Sequence, residues 1–356
     1  MARDSRLHLK WIEIDLSAIR SNLRWTLSSL RRGVRLVAVV KADAYGHGLA
    51  VCRELAKAGA PSFGVLTVAE ASSLRRAGMR VPIQLLAPLL PGNAGEAVSL
   101  SVTPTIDHID QARALNASAP ARGVGVHLDI DFGLGRWGVS PKSVFDFARR
   151  LSRLKRLRLE GLSTHIDYVP GKNSVEAEEK LRSFHSIAQR LKQENPALVC
   201  HAANSSVLMD FPQWQMDQVR VGNLLYGINK ASAKSASLRN PWRFLARIIA
   251  VQEFARGRSI GYASEYVAPR KMRVATVAVG YADGLTMEPA ERLISFGRGF
   301  QYWGMIGDKK APFIGGCGIA HILLDVTNVP QARAGTVVAL PIRRTAASSH
   351  LPRLYV

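Results

Sequence analysis

Cysteine is scarce in this 356-residue chain: Cys52, Cys200 and Cys317 are scattered, odd in number and form no CxxC pair. A disulfide framework is not expected, nor is a zinc or other metal site, and a reducing cytoplasm fits. No apolar run approaches the roughly 20 residues that span a bilayer, so no membrane association is expected. The opening segment, MARDSRLHLKWIEIDL, carries charge throughout and lacks an apolar core, which argues against a signal peptide. Aromatic residues amount to only 7%, and no RRM, KH, zinc-finger or helix-turn-helix signature accompanies them. Acidic residues are the largest shortfall, 27 against 48 Lys+Arg, for a net charge of +21. Such a field draws anions in general, including nucleic acid, phosphorylated cofactors and carboxylate substrates. The densest basic run, Arg149, Arg150, Arg153, Lys155, Arg156 and Arg158, closes a helical pattern with apolar residues interleaved. It reads as a solvated basic face, and no nucleic-acid partner is expected.

What is present is globular. Hydrophobic residues make up 47% of the chain, which excludes disorder, and the length suits two domains or one large barrel with an appendage. From residue 35, β-rich runs alternate with helical patterns. RLVAVV (35–40), SFGVLT (62–67), PIQLLA (82–87), SVTPTI (101–106), GVGVHLDID (123–131), LRLEGLSTH (157–165), LVCHAAN (198–204) and VRVGNLLYG (219–227) are the strand candidates. Thr67 and Glu70 have capping-box spacing at the start of one intervening helix. About eight such units imply a (β/α)8 barrel. A doubly wound sheet is the alternative, weakened by the absence of GxGxxG after the first strand. After Asn240-Pro241 the helical periodicity nearly disappears. FLARIIAVQEFA, MRVATVAVGYA, FQYWGMI, HILLDVT and TVVALP read as strands of an all-β domain. The expected division is a barrel over 12–235 and a β domain over 236–356, joined by residues 1–11.

Barrel enzymes carry their chemistry at the C-terminal ends of the strands. The first strand ends in Lys41, within VVKADAYGHG. Read alone, Lys41 is either a rim lysine reaching for water or a Schiff-base lysine activated by desolvation. Tyr45 lies just beyond it. HLDIDFGLGRWG sends Asp129 and Asp131 to one face by the period of two, then turns into Arg136. Other strand ends place His165, Asn204 with Ser205, and Arg220 with Gly222. Each has a dull explanation by itself. Together they put cations, a histidine and hydroxyl or backbone donors on one rim, an inventory that suits a phosphate, a carboxylate and a proton to move.

The chain resembles the PLP-dependent alanine racemases. WIEIDLSAIRSNL, VVKADAYGHG, SFGVLTVAEASSLRRAG, DFGLGRWGV, GLSTH, HAANSS, VRVGNLLYG, IGYASEYVA, VGYADG and LPRLYV look like that family's motifs, in its order and across nearly the whole chain. The resemblance implies an N-terminal barrel, a C-terminal β domain and a homodimer with active sites shared between subunits. It implies pyridoxal 5'-phosphate bonded to Lys41, its phosphate held by Tyr45, Ser205, Tyr355 and the backbone N–H groups of Gly222 and Asn223. His165 would lie against the ring region, Arg220 would face the pyridine nitrogen, and Arg136 would meet the phenolic oxygen and the substrate carboxylate. Tyr262 would be the second base, lent by the other subunit, with Tyr281 at the entrance and the N–H of Ile319 near the carboxylate. The implied reaction interconverts L- and D-alanine and supplies D-alanine for peptidoglycan.

Two departures from the family pattern stand out. Asp129 occupies the place of a lysine that is often carbamylated, and Ile319-Ala320 replaces a usual methionine and aspartate. Competing readings are a serine or broader-range racemase, a decarboxylase on a similar barrel, and a non-catalytic PLP carrier. Cys317 sits in GGCGIA without an adjacent acid, unlike the cysteine such a decarboxylase would need. A carrier would need neither the β domain nor Tyr262.

Overall fold

The computed structural model describes residues 8–232, 237–264, 266–285, 302–342 and 344–356. The chain divides into two units, Ser17–Asn240 and Met1–Leu16 with Pro241–Val356. Strand β1 (Lys10–Ile14) belongs to the second, so the barrel expected from residue 12 begins after Leu16.

In the first unit the alternation of apolar runs and amphipathic helices produces eight parallel strands. These are β2 (Arg35–Val39), β3 (Phe63–Val65), β4 (Ile83–Pro88), β5 (Val102–Ile106), β6 (Val124–Ile130), β7 (Leu157–Thr164), β8 (Val199–His201) and β9 (Gln218–Val221). Neighbours pair in order from β2 to β8, and β9 pairs with β2 through Leu36↔Val219 and Val37↔Arg220. Across the remaining seam the N–H of Asp217 donates to the Cys200 carbonyl (3.1 Å) and that of Arg220 to Ala203 (2.9 Å), closing the barrel. Helices run between the strands, as right-handed crossovers between parallel strands require. The capping box at Thr67 and Glu70 forms, with the Glu70 N–H donating to Thr67 Oγ1 at 3.2 Å. The longest helix, Ser174–Glu194, buries Ala177, Leu181, Phe184, Ala188 and Leu191 at helical spacing.

The second unit is all β: β10 (Trp242–Phe254), β11 (Ser259–Ile260), β12 (Tyr266–Val267), β13 (Met272–Val277), β14 (Trp303–Ile306), β15 (Lys309–Ile314), β16 (Ile322–Asp325), β17 (Val337–Leu340) and β18 (Arg353–Tyr355). The first residues of the strand expected from FQYWGMI fall outside the described residues. One half of β10 pairs with β17 and β1 and the other half with β13, around an irregularity between Ile248 and Ala250. The sheet thereby wraps onto Ile260, Ala268, Met272, Val274 and Ile314. The architecture is a (β/α)8 barrel plus a C-terminal all-β domain. Among the described residues no helix is long and apolar enough to cross a membrane.

Candidate active site

Ten of the residues singled out in the barrel sequence line one cavity of about 450 Å³: Lys41, Tyr45, Asp129, Arg136, His165, Asn204, Ser205, Arg220, Gly222 and Asn223. They come from the ends of five different strands, so barrel closure assembles them. The volume falls in the range of small-molecule sites, roughly 300–1,000 Å³.

Lys41 follows β2 after a single residue, Val40. Beyond it the backbone takes an unusual course: Ala42, Asp43, Ala44 and Tyr45 have φ of 52°, 53°, 53° and 57°. Four successive left-handed residues other than glycine cost about 1–2 kcal/mol each. The turn is tied down locally by hydrogen bonds from Ala44 N–H to the Val40 carbonyl (2.9 Å) and from Gly46 N–H to Ala42 (2.8 Å). Glu70 adds a long-range tie, accepting from Ala42 N–H (2.7 Å) while it caps its own helix. Strain held by such ties marks a place where side-chain position outweighs backbone comfort. Burial lowers the Lys41 amine below its ordinary value, Arg136 and Arg220 push it further down, and Glu70 opposes them. An amine depressed this way is less often protonated near neutrality, so its lone pair is more available for attack or for taking up a proton.

Tyr45 turns back over the barrel, its ring stacked on Tyr226 with centroids 4.6 Å apart. Burial pushes its phenol up to about 12, which keeps it a hydrogen-bond donor. Gly222 is required beside it, since a Cβ there would collide with the Tyr45 hydroxyl. The Gly222 N–H reaches Ser205 Oγ at 3.3 Å. Asn204 lines the cavity, but its Oδ1 accepts from Ser206 and Val207 N–H (2.9 and 3.0 Å), so that oxygen caps a short helix.

Arg220 is buried at the cavity floor. Its guanidinium donates to the carbonyls of His201 (3.1 Å) and Thr164 (2.5 Å) and to the ring Nδ1 of His201. Burial lowers it to about 10, so it stays charged near neutrality. Arg136 lies over the Trp137 ring, 3.7 Å from its centroid. Asp129 is buried, accepts a hydrogen bond from Ser163, and is raised to about 6 by desolvation against the pull of Ser163, Arg220 and Arg136. His165 is lowered to about 3 by burial and by Arg220, Arg136 and Lys41, so it is neutral. The cavity thus presents cations, hydroxyl donors and one carboxylate poised near neutrality, a donor set suited to a bound dianion and a carboxylate.

In the β unit, Tyr262 lies on a short turn, 66% exposed, with its ring 5.9 Å from that of His321. Tyr281 and Ile319 are 47% and 61% exposed. Backbone bonds hold their segments together, from Tyr281 N–H to Gly318 (3.1 Å) and from Ala282 N–H to Ile319 (3.0 Å). Asp283 anchors this turn, accepting from Lys10 Nζ (2.7 Å) and from Gly280 N–H (3.0 Å). Tyr355 sits on β18, opposite Ile14 of β1.

Sequence reasoning passed over Trp137, Tyr168, Lys230, Gln84 and His201, which also line the cavity. It also passed over His127, buried just beneath them. For His127 a signal existed: it stands two residues before Asp129 and shares its face by the strand period.

Known proteins resemble this chain in sequence and fold. A family model described as "Alanine racemase, N-terminal domain" matches residues 14–230, and one described as "Alanine racemase, C-terminal domain" matches 242–350. The alanine racemase of Syntrophobacter fumaroxidans is 35% identical over 335 residues, covering 93% of this chain and 87% of the relative. That of Halothermothrix orenii is 32% identical over 336 residues, covering 93% and 86%. The structure of alanine racemase from Clostridium difficile 630 superposes with a TM-score of 0.88 at 25% identity, covering 98% of this chain and 96% of that one. The Bacillus anthracis alanine racemase with bound L-Ala-P superposes with a TM-score of 0.86 at 25% identity, covering 98% and 95%. With both family domains matched in order, and relatives alike over nearly its whole length, the chain is an isomerase that belongs to the alanine racemase family.

Proposed function

We propose that the chain interconverts L- and D-alanine with pyridoxal 5'-phosphate held at the C-terminal mouth of the barrel. The observation that carries this reading is the convergence of Lys41, Tyr45, Arg136, His165, Ser205, Arg220 and Gly222 on one cavity. The cofactor fits the donor set. Tyr45, Ser205 and the N–H groups of Gly222 and Asn223 would hold the phosphate, with Tyr355 as a further donor. The missing Cβ of Gly222, beside the Tyr45 hydroxyl, leaves backbone open to that anion. Arg220 would stand at the ring nitrogen, with His165 against the ring. When bound, the cofactor supplies the electron sink for the α-carbon.

The protein's share is binding and proton handling. Inverting an α-carbon needs a proton removed from one face and another delivered to the opposite face. Two fixed bases do this without moving. Lys41 Nζ serves one face, its amine lowered by burial and by the neighbouring guanidinium groups. The phenolic oxygen of the partner subunit's Tyr262 serves the other. Arg136 orients the substrate carboxylate and Asp129 balances its charge, with the Ile319 N–H as a second donor. The exposure of Tyr262, Tyr281 and Ile319 supports a homodimer, since exposed apolar and aromatic side chains on neighbouring loops ask for a cover. The product would supply D-alanine for peptidoglycan, and the enzyme would act in the cytoplasm.

Purified protein with added cofactor and L-alanine should form D-alanine, read by chiral chromatography with serine and lysine in parallel. Tyr262→Phe should slow α-proton exchange from one enantiomer far more than from the other. A Tyr262→Phe variant that keeps the wild-type rate from both enantiomers would remove Tyr262 from the mechanism.

A further inference from the structure

Beneath the cavity, the barrel interior is not the apolar filling that bulky branched residues usually supply. A line of buried polar side chains runs down it from Arg220. His201 Nε2 stands 2.8 Å from His127 Nδ1, and Gln84 Nε2 stands 2.8 Å from the same atom and, at the longer distance of 3.3 Å, from His201 Nε2. Gln84 Oε1 accepts from Gln218 Nε2 at 3.1 Å. His127, Gln84 and Gln218 also line a second cavity of about 240 Å³ that includes Arg35, at the start of β2, and so belongs to the barrel's N-terminal end.

The protons on this line are fixed by its upper end. A guanidinium has donors and no acceptor, so the His201 Nδ1 facing Arg220 must be bare. The neutral ring then carries its proton on Nε2, and that N–H points at His127 Nδ1, which must therefore accept. Gln84 turns its amide nitrogen to the same acceptor, which leaves its oxygen for Gln218. A proton on His127 Nδ1 would face two donors. The surrounding charge agrees: burial, Arg220 and Arg35 drive His127 down to about 3 and keep it neutral.

We propose that His127 is a positioning residue for the active site: its bare Nδ1 anchors His201 in a single tautomer, and His201 in turn fixes the guanidinium of Arg220. It touches neither substrate nor cofactor and acts only through His201. Without that acceptor the His201 N–H is left buried and unsatisfied, which favours a rotated ring and a displaced Arg220. Arg220 keeps its proton because the buried imidazoles below it, with His127 driven down to about 3, bind a proton far more weakly than the guanidinium, so the cation at the cavity floor persists.

The inference rests on reading Arg220 as the group at the cofactor ring, and the test separates the two. Histidine 15N NMR on the wild-type holoenzyme should show His201 bare at Nδ1 and protonated at Nε2, with His127 bare at Nδ1 and neutral down to about pH 4. His127→Leu should lower kcat about tenfold with little change in KM for alanine, and should alter the absorbance of the bound cofactor. His127→Gln, whose side-chain oxygen can accept from His201, should recover most of the rate and the wild-type spectrum. A proton on His201 Nδ1 would overturn the proposal, as would a folded His127→Leu enzyme with wild-type kcat and spectrum, or His127→Gln no better than His127→Leu. Should His127→Leu fail to fold, the NMR assignment and the His127→Gln rate still decide. A wild-type protein with this tautomer pattern but no racemase activity would refute the cofactor reading and leave the hydrogen-bonded line standing.

Discussion

The two mouths of the barrel are made from the same eight strands and use positive charge in opposite ways. At the C-terminal mouth Lys41, Arg136 and Arg220 share one cavity with Asp129, and every one of the four has its proton affinity shifted by burial and by its neighbours. At the other mouth, the segments entering the strands carry Arg32, Arg80, Arg122, Arg153, Lys155 and Arg156, all exposed. Two unit charges 4 Å apart interact by about 1 kcal/mol in water and about 4 kcal/mol at an effective dielectric near 20. A few enclosed cations can therefore set chemistry that a larger number of solvated ones cannot. Much of the net charge of +21 is of the second kind, and its effect is a diffuse attraction for anions that salt screens.

The sharpest way to break this contrast is to remove one lysine from each mouth. On the proposed function, where Lys41 is both nucleophile and proton carrier, Lys41→Ala should lower D-alanine formation by at least about a thousandfold. Lys155→Ala should leave kcat and KM within about twofold of wild type. A large loss in Lys155→Ala would mean that distant charge takes part in the chemistry. The glycines give a second comparison. Gly222→Ala drives a methyl into the Tyr45 hydroxyl, so cofactor affinity should fall about tenfold or more while the barrel still folds. Gly33, at the opposite mouth, has φ of +85° and nothing within 4 Å of an added Cβ. Gly33→Ala should therefore cost about 1 kcal/mol of stability through backbone strain and leave cofactor affinity unchanged. Equilibrium titration and thermal melting read the two effects separately.

What could be read from sequence follows the same division. Strand ends announce themselves: an apolar run that stops at Lys41, or that alternates into Asp129, gives both the strand and the face of the side chain. The rim was therefore legible, and the ordered motifs gave the family. The barrel floor was not. Gln84, His201 and Gln218 sit inside strands where each looks like an isolated polar residue, His127 has only its shared face with Asp129 to mark it, and only barrel closure brings four strands' interior positions into one line. The left-handed turn after Lys41 was equally hidden, since alanine and aspartate give no hint of positive φ at three consecutive positions. The role of Glu70 was half legible. Its spacing announced the capping box, but its bond to Ala42 depends on tertiary contact.

Asp129 offers the finest test, because burial displaces its titration toward neutrality within the C-terminal cavity. Burial raises its carboxyl from 3.8 to about 6, so the folded chain holds this proton more tightly than the unfolded chain. Its contribution to stability is therefore most favourable below about pH 4, declines as pH rises toward 6, and is constant above. A rise of that size amounts to about 3 kcal/mol at most. Asp129→Asn should flatten that part of the stability profile, so that the mutant gains on wild type between pH 4 and 7 in chemical denaturation. Activity should move the other way. In wild type the ionised carboxylate above pH 6 balances Arg136, and kcat/KM for alanine should fall as pH drops through that value. In Asp129→Asn that inflection should vanish, leaving kcat/KM near neutrality about fivefold lower, the equivalent of ~1 kcal/mol. A mutant that keeps both the inflection and the rate would show that Arg136 is held by its stacking on Trp137 alone. An enzyme that loses the inflection while keeping full rate at pH 8 would show a carboxylate that senses pH without orienting substrate.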